Sequence, residues 1–239
     1  MTRHLLMAAA AALTLCATGA YAAPPANVVA AVTAPSRPDA DKQRDAARKP
    51  AEMLEFAGVK TGDKVVELLP GGGYFTRLLS GAVGPSGKIY AGIPESDQEK
   101  AKALATGNVE LVVLKPGALQ FPERADVIFT AQNYHDFHLK RLNLDIAKVN
   151  QQLFDALKPG GTLLIIDHAA VDGAPVEAAD TLHRIDPAIV KREVEAAGFK
   201  FVGENNSLRN PDDARTVGVF DASIRGRTDQ FVYKFQKPK

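Results

Sequence analysis

With 46% apolar and 24% charged residues, the 239-residue chain has the make-up of a soluble globular protein and enough length for one domain of ordinary to large size. Those shares exclude a disordered chain or a fibrous repeat. Setting aside Arg3 in the N-terminal leader leaves 28 basic residues against 28 acidic ones, with no basic stripe of the kind a phosphate backbone demands, so nucleic acid is not expected as a partner.

The segment from Met1 to Ala22 reads as a signal peptide. Arg3 and His4 precede an apolar run from Leu5 through Leu15, and Ala20-Tyr21-Ala22 supplies the small-x-small pattern at which cleavage is expected, after Ala22. The run falls short of the roughly 20 residues that a transmembrane helix needs. A lipid on Cys16 is the weaker alternative, because Leu15 stands where a small residue is expected. Cys16 is the only cysteine, so no disulfide is expected in the mature chain, and the location implied is periplasmic or secreted.

Residues 23–38, rich in Ala, Pro and Val, read as a flexible leader, and residues 39–239 as one domain. Asp39 to Phe56 suits a surface helix or two, interrupted at Pro50. A rhythm of strands and helices follows. Strands are expected at 64–69, 88–92, 109–114, 125–131, 162–167, 199–204 and 230–235. Helices are expected at 73–82, 97–105, 142–157 and 187–197, the last with Pro187 in its first turn, Asp186 as its cap and Gly198 past its end. Short, nearly continuous apolar strands alternating with helices imply an α/β, doubly wound, mostly parallel seven-stranded sheet. Between the last two strands the sequence reads mostly as loop, so the final strand is expected to be antiparallel.

In such a sheet, ligands sit beyond the carboxyl ends of the strands. Glu67-Leu-Leu-Pro-Gly-Gly-Gly73 lies there. Three glycines without side chains let a ligand approach the backbone. The segment is neither a Walker loop nor G-x-G-x-x-G, and by itself it reads as a ligand turn or as a tight strand-to-helix turn.

The same residues resemble the first motif of class I S-adenosylmethionine-dependent methyltransferases, in which an acidic residue precedes a glycine-rich turn facing the cofactor's amino-acid end. "LKPGGTLLIIDHA" (Leu157 to Ala169) resembles the superfamily's helix–turn–fifth-strand segment. "ERADVIFTAQNYHDF" (Glu123 to Phe137) is similar to its fourth strand and following loop, and "VKREVEAAGFKFV" (Val190 to Val202) to its late helix and sixth strand. The YHD and HRID segments are similar to a secreted group of predicted methyltransferases. The resemblance runs from about Ala51 to Phe235 and implies a Rossmann-like methyltransferase fold, S-adenosylmethionine as cofactor and a small-molecule acceptor. It implies cofactor contacts from Glu67, Gly71, Gly72 and Gly73, while Asn133 and Tyr134 are placed to line the acceptor or adenine pocket. The chain departs from the pattern at three points. Leu69 replaces the first glycine of the turn. Ile93 replaces the acidic residue usual at the end of the second strand, for which Glu95 is the substitute. Gly117 stands near the place of an adenine-binding aspartate.

Histidines and aspartates cluster after the fourth and fifth expected strands, on the same edge. Methyl transfer needs an aligned nucleophile and, for a weakly acidic one, a base. His135, Tyr134, Asp136 and His168 are the candidates, with His135 as base and Asp136 or Asp167 orienting an imidazole. The alternative is that these polar groups only cap helices or brace loops. A metal held by His135, Asp136, His138 and His168 is a third option, but His-x-x-His is a weak pattern and no cysteine supports it, so no metal is assigned. His183 and Arg184 precede a capped helix and have a structural reading, with Arg184 a candidate holder of an anionic substrate. Two functions stay open on sequence: an exported methyltransferase, or a non-catalytic periplasmic binding protein on the same fold.

Overall fold

A computed structural model describes residues 23–239; the expected cleavage after Ala22 and the alternative lipid site at Cys16 lie outside them. Seven strands, β1 (Lys64–Leu68), β2 (Lys88–Pro94), β3 (Val109–Leu114), β4 (Ala125–Ala131), β5 (Leu157–His168), β6 (Lys200–Glu204) and β7 (Gln230–Gln236), form one sheet. Their order is β3-β2-β1-β4-β5-β7-β6. The first five run parallel, and β7 is antiparallel to both neighbours, β5 and β6. The chain reverses direction across the sheet between β1 and β4, so the ligand crevice belongs beyond the ends of those two strands.

Alternating side chains feed two cores. On one face Val65, Phe129, Leu164 and Val232 pack with Met53, Leu54, Phe75, Leu78 and Leu79. On the other, Val66, Ile128, Ile165 and Phe231 pack with Val149, Leu153, Val190 and Val194. The first set is covered by α1 (Ala26–Thr33), α4 (Pro50–Ala57) and α5 (Tyr74–Val83), reached through two single-turn helices, α2 (Asp39–Lys42) and α3 (Asp45–Arg48). After β2 comes α6 (Gln98–Ala101). The second face is covered by α7 (Ile146–Ala156) and α9 (Pro187–Ala196), with α8 (Ala178–Leu182) between β5 and α9.

Several expectations need correction. Residues 23–38 are not a free leader: α1 buries Val28 and Ala31, and the Asn27 amide donates to Val59 O at 3.2 Å and Ala82 O at 3.1 Å. An Ala/Val-rich run is ambiguous alone, and the small Gly81, against which Ala31 packs, gives this one a helix partner. Nor is α4 a surface helix. Pro50 opens it, and Met53 and Leu54 are fully buried. The helix expected at 97–105 is broken into 3-10, α and 3-10 turns, and α7 starts only after its Asp145 cap, whose carboxylate accepts from Lys148 N at 3.1 Å. β5 starts early, at Leu157 instead of Thr162, because Pro159-Gly160-Gly161 continues the strand through a register shift opposite Ala125 and Val127. The cap at Asp186 and the antiparallel last strand are as expected.

The long segment before β7 is irregular but pinned. Arg184 is buried and pairs with buried Asp213 at 2.8 Å, while Arg209 and Arg215 hold Asp229 at 2.9 and 2.8 Å. Arg184 therefore has no free face for a substrate anion, contrary to expectation. Its partner stands on the far side of α9 and β6 in the chain, beyond the reach of local sequence patterns.

Candidate functional site: a two-ended cleft beside a histidine cluster

Beyond β1 the chain must turn sharply into α5. Leu69 takes the left-handed conformation, φ 51°, that a glycine usually supplies, and its amide donates to Gly92 O at 2.8 Å. Gly73, at φ 78°, is required by packing: a Cβ there would lie 2.2 Å from Leu104 Cδ2. It is absent from the lining of the polar cavity beside Gly71 and Gly72. Around Gly71 and Gly72, by contrast, a Cβ would meet nothing within 4 Å.

Those two glycines line a mainly polar cavity of about 330 Å³ together with Arg44, Arg48, Glu67, Gln132, Asn133 and Asp136. Glu67 is buried and its Oε2 has no hydrogen-bond partner. Loss of water pushes its carboxyl up to about 7, against the opposing pull of the Thr76 hydroxyl and the positive charges of Arg77 and Arg48. Arg48 donates to Gln132 Oε1 at 2.6 Å and lies over the Tyr74 ring at 4.8 Å; burial first, then Arg44, lowers its pKa to about 10. Asn133 lines this cavity, but its amide is spent on the backbone. Nδ2 donates to Leu68 O at 3.2 Å and Leu69 O at 3.1 Å, while Oδ1 meets the Thr130 hydroxyl. The side chain thus braces the end of β1 while lining the cavity.

A second, apolar cavity of about 350 Å³ lies on the other side of Leu68 and Leu69, lined among others by Pro94, Glu95, Gly117, Phe137, Leu142 and Leu144. Ile93 faces the core, whereas Glu95 lines this cavity. The two cavities share Leu68, Leu69 and Asp136, which makes them two ends of one cleft with Asp136 at the junction.

Behind Asp136 sits a cluster drawn from three segments. Buried Asp167 accepts from His135 N at 2.7 Å, from His135 Nδ1 at 2.8 Å and from His168 N at 2.8 Å. Burial alone would lower the His135 pKa, but the charge of Asp167 outweighs it and holds the imidazole above its ordinary value. His135 Nε2 faces His183 Nδ1 at 3.4 Å and Asp136 Oδ1 at 3.4 Å. His168 turns the other way, its Nδ1 2.7 Å from the Thr228 hydroxyl, and burial lowers its pKa to about 4. His138 also leaves the cluster, with Nε2 3.1 Å from Glu193.

Tyr134 lines neither cavity. Its ring is buried in the second core; Asn150 Nδ2 donates to its hydroxyl at 2.8 Å, and Glu193 Oε2 lies 3.3 Å from it. The single turn of 3-10 helix that follows, His135–His138, spreads successive residues about 120° apart, so Tyr134 turns into the core while Asp136 reaches the cavities. Tyr134→Phe is accordingly expected to leave methyl-transfer rates within about twofold of the parent while lowering stability by about 1 kcal/mol, measured by urea denaturation. Sequence reasoning missed Arg44 and Arg48. Their i, i+4 spacing in a basic stretch before the first strand was the available signal, and their place over Tyr74 in the cavity that Gly71 and Gly72 line was not.

A sheet of order β3-β2-β1-β4-β5-β7-β6 with an antiparallel β7, an acidic residue and a glycine-rich turn after β1, and a cleft at the reversal is the class I S-adenosylmethionine-dependent methyltransferase fold. Solved structures agree on the fold. An S-adenosylmethionine-dependent methyltransferase from Aquifex aeolicus superimposes with a TM-score of 0.58 at 23% identity, covering 84% of this chain and 98% of that one. Fibrillarin from Aeropyrum pernix, solved with natively bound S-adenosyl-L-methionine, gives 0.53 at 16% identity, covering 80% of this chain and 76% of that one. Residues 42–187 match the model of the ubiE/COQ5 methyltransferase family, and the chain belongs to that family. Two relatives named ubiquinone/menaquinone biosynthesis C-methyltransferase UbiE are 36% identical (Pasteurella multocida, 72% of this chain and 65% of the relative) and 30% identical (Cronobacter sakazakii, 69% and 66%). The chain thus spans about two thirds of the length of these curated relatives.

Proposed function

We propose that this protein transfers a methyl group from S-adenosylmethionine to a small-molecule acceptor in the cell envelope. Support comes above all from the unpartnered, buried carboxylate oxygen of Glu67 at one end of a cleft whose other end is apolar. A ligand with an ammonium group at one end and a nucleoside at the other satisfies both. Glu67 and the amides of Gly71 and Gly72 would meet the amino-acid end, with Arg44 and Arg48 facing its carboxylate. Glu95 would meet the ribose hydroxyls, and the apolar walls around Gly117 would take the adenine.

The cofactor supplies a methyl group already activated on a sulfonium. What remains for the chain is to align an acceptor and to accept its proton. Asp136, at the junction of the two ends, and His135, oriented by Asp167, stand where that proton would go. The acceptor nucleophile forms the new bond to carbon while the carbon–sulfur electron pair stays with sulfur. The export expected from the N-terminal segment would put the reaction outside the cytoplasm. The relatives' names concern carbon methylation in quinone biosynthesis; for this chain the acceptor class stays a small molecule with an ionisable group, and no nucleic acid is expected.

Calorimetry on the full chain tests this: S-adenosylmethionine and its demethylated product should each bind one to a chain in the micromolar range, on the order of 8 kcal/mol. A folded protein giving no heat with either at millimolar concentration would favour a binding protein without methyltransferase activity.

A further inference from the structure

The cluster behind Asp136 has a geometry that proton transfer alone does not require. His135 Nε2, His183 Nδ1 and Asp136 Oδ1 lie 3.4, 3.4 and 4.0 Å apart. They form a mutually close set of ligand-type atoms from residues 135, 136 and 183. A triangle with those sides has one central point about 2.1 Å from every corner, the length of a zinc–nitrogen or zinc–carboxylate bond. We infer that His135, Asp136 and His183 form a binding site for a single divalent transition-metal ion of the zinc type.

Three features support a ligand set over a chance meeting. Asp167 accepts from His135 Nδ1, which fixes the tautomer and leaves the Nε2 lone pair directed at the other two groups; a carboxylate behind a ligating histidine is the usual support of such sites. Asp167 is buried and held in turn by the amides of His135 and His168, so this support is rigid. His183 is brought in from the end of α8 in a left-handed backbone conformation, φ 52°, and its ring packs edge-on against Phe220 with centroids 5.0 Å apart. His183 and Asp136 are each about one-third exposed, so an ion has access from solvent.

Two histidines and one carboxylate leave at least one coordination position open, the composition of sites that act on a substrate, whereas structural zinc sites are closed by four protein ligands. The ion site stands on its own geometry; the narrowing of the acceptor to molecules with an acidic hydroxyl rests on the proposed methyl transfer. With the ion bound, the hydroxyl oxygen would coordinate it and the proton would leave to solvent, so the base role of His135 and Asp136 belongs to the ion-free site.

The test uses the full chain stripped with a chelator, titrated with Zn²⁺ by calorimetry and with Co²⁺ by visible absorption. One ion per chain is expected, with His183→Ala and Asp136→Asn each weakening Zn²⁺ binding at least tenfold. Asp167→Asn should weaken it about 10- to 100-fold, the usual effect of losing the group behind a ligand, and Tyr134→Phe should leave it unchanged. Because His183 is partly exposed, its variant is not expected to unfold, and His183→Gln serves as a second check. Absence of Zn²⁺ uptake at micromolar concentration, or unchanged affinity in His183→Ala, overturns the site. Titrating S-adenosylmethionine into the same stripped protein separates the two proposals: its binding without metal uptake sinks the metal site and leaves methyl transfer standing. Metal uptake without cofactor binding does the reverse.

Discussion

Glu67→Gln should bind S-adenosylmethionine about 10- to 100-fold more weakly than the parent at pH 8, and at the same time be the more stable protein. Both effects follow from one buried carboxyl whose pKa burial has pushed up from 4.5 to about 7. An ammonium group binds the ionised form, so parental affinity should fall as pH drops below about 7, approaching tenfold per unit, and the variant should lack that slope. The stability sign is opposite. Unfolded, the carboxyl ionises near its ordinary value; folded, it holds its proton up to about 7. Between those values the folded state binds more protons, so stability is lost as pH rises through the window and stays low above it. Glutamine removes that loss. The variant should gain about 1–3 kcal/mol over the parent at pH 8, on the scale of about 1.4 kcal/mol per pKa unit, and the gain should vanish below about pH 4. Paired urea titrations and calorimetry over this range measure both. A variant weaker in binding and also less stable at pH 8 would mean that Glu67 is a structural group.

The second large effect is expected from Gly72→Leu. At Gly72 the backbone is not left-handed and a Cβ meets nothing within 4 Å, so a larger side chain costs the fold little. The added atoms enter the polar cavity that Gly71, Gly72 and Glu67 line. Thermal unfolding should shift by only a few degrees, about 1 kcal/mol, while S-adenosylmethionine affinity falls about 100-fold or more, or nearly 3 kcal/mol. Retained affinity would show that the cofactor's amino-acid end lies elsewhere. Gly73, the next residue, is no substitute for this test. Any side chain there collides with Leu104 and sits at φ 78°, so loss of binding would only report loss of packing.

That contrast between adjacent glycines shows what a sequence can and cannot carry. "GGG" announces a turn, and its place after an apolar strand announces a ligand edge. Which glycine faces the open cavity and which faces Leu104 depends on how α5 lies against the turn at 102–104. The histidines behave alike. The residues of "YHDFH" look equivalent in line, yet one short 3-10 turn sends Tyr134 and His138 towards Glu193 and keeps His135 and Asp136 at the cleft.

By itself the sequence determined the order and type of the strands, the parallel sheet with its antiparallel end, and the edge where chemistry would gather. These follow from short-range patterns: apolar runs of strand length, helix caps, and glycine or proline at the boundaries. Only the tertiary structure decided that residues 26–33 belong to the domain, that Arg44 and Arg48 share a cavity with Gly71 and Gly72, that Arg184 is spent on Asp213, and that His183 joins His135 and Asp136. Each of those depends on a partner in another element of the chain, brought close by the stacking of layers. Local propensity carries no trace of such distances, because the energy that fixes them comes from burial and pairing after the sheet has formed.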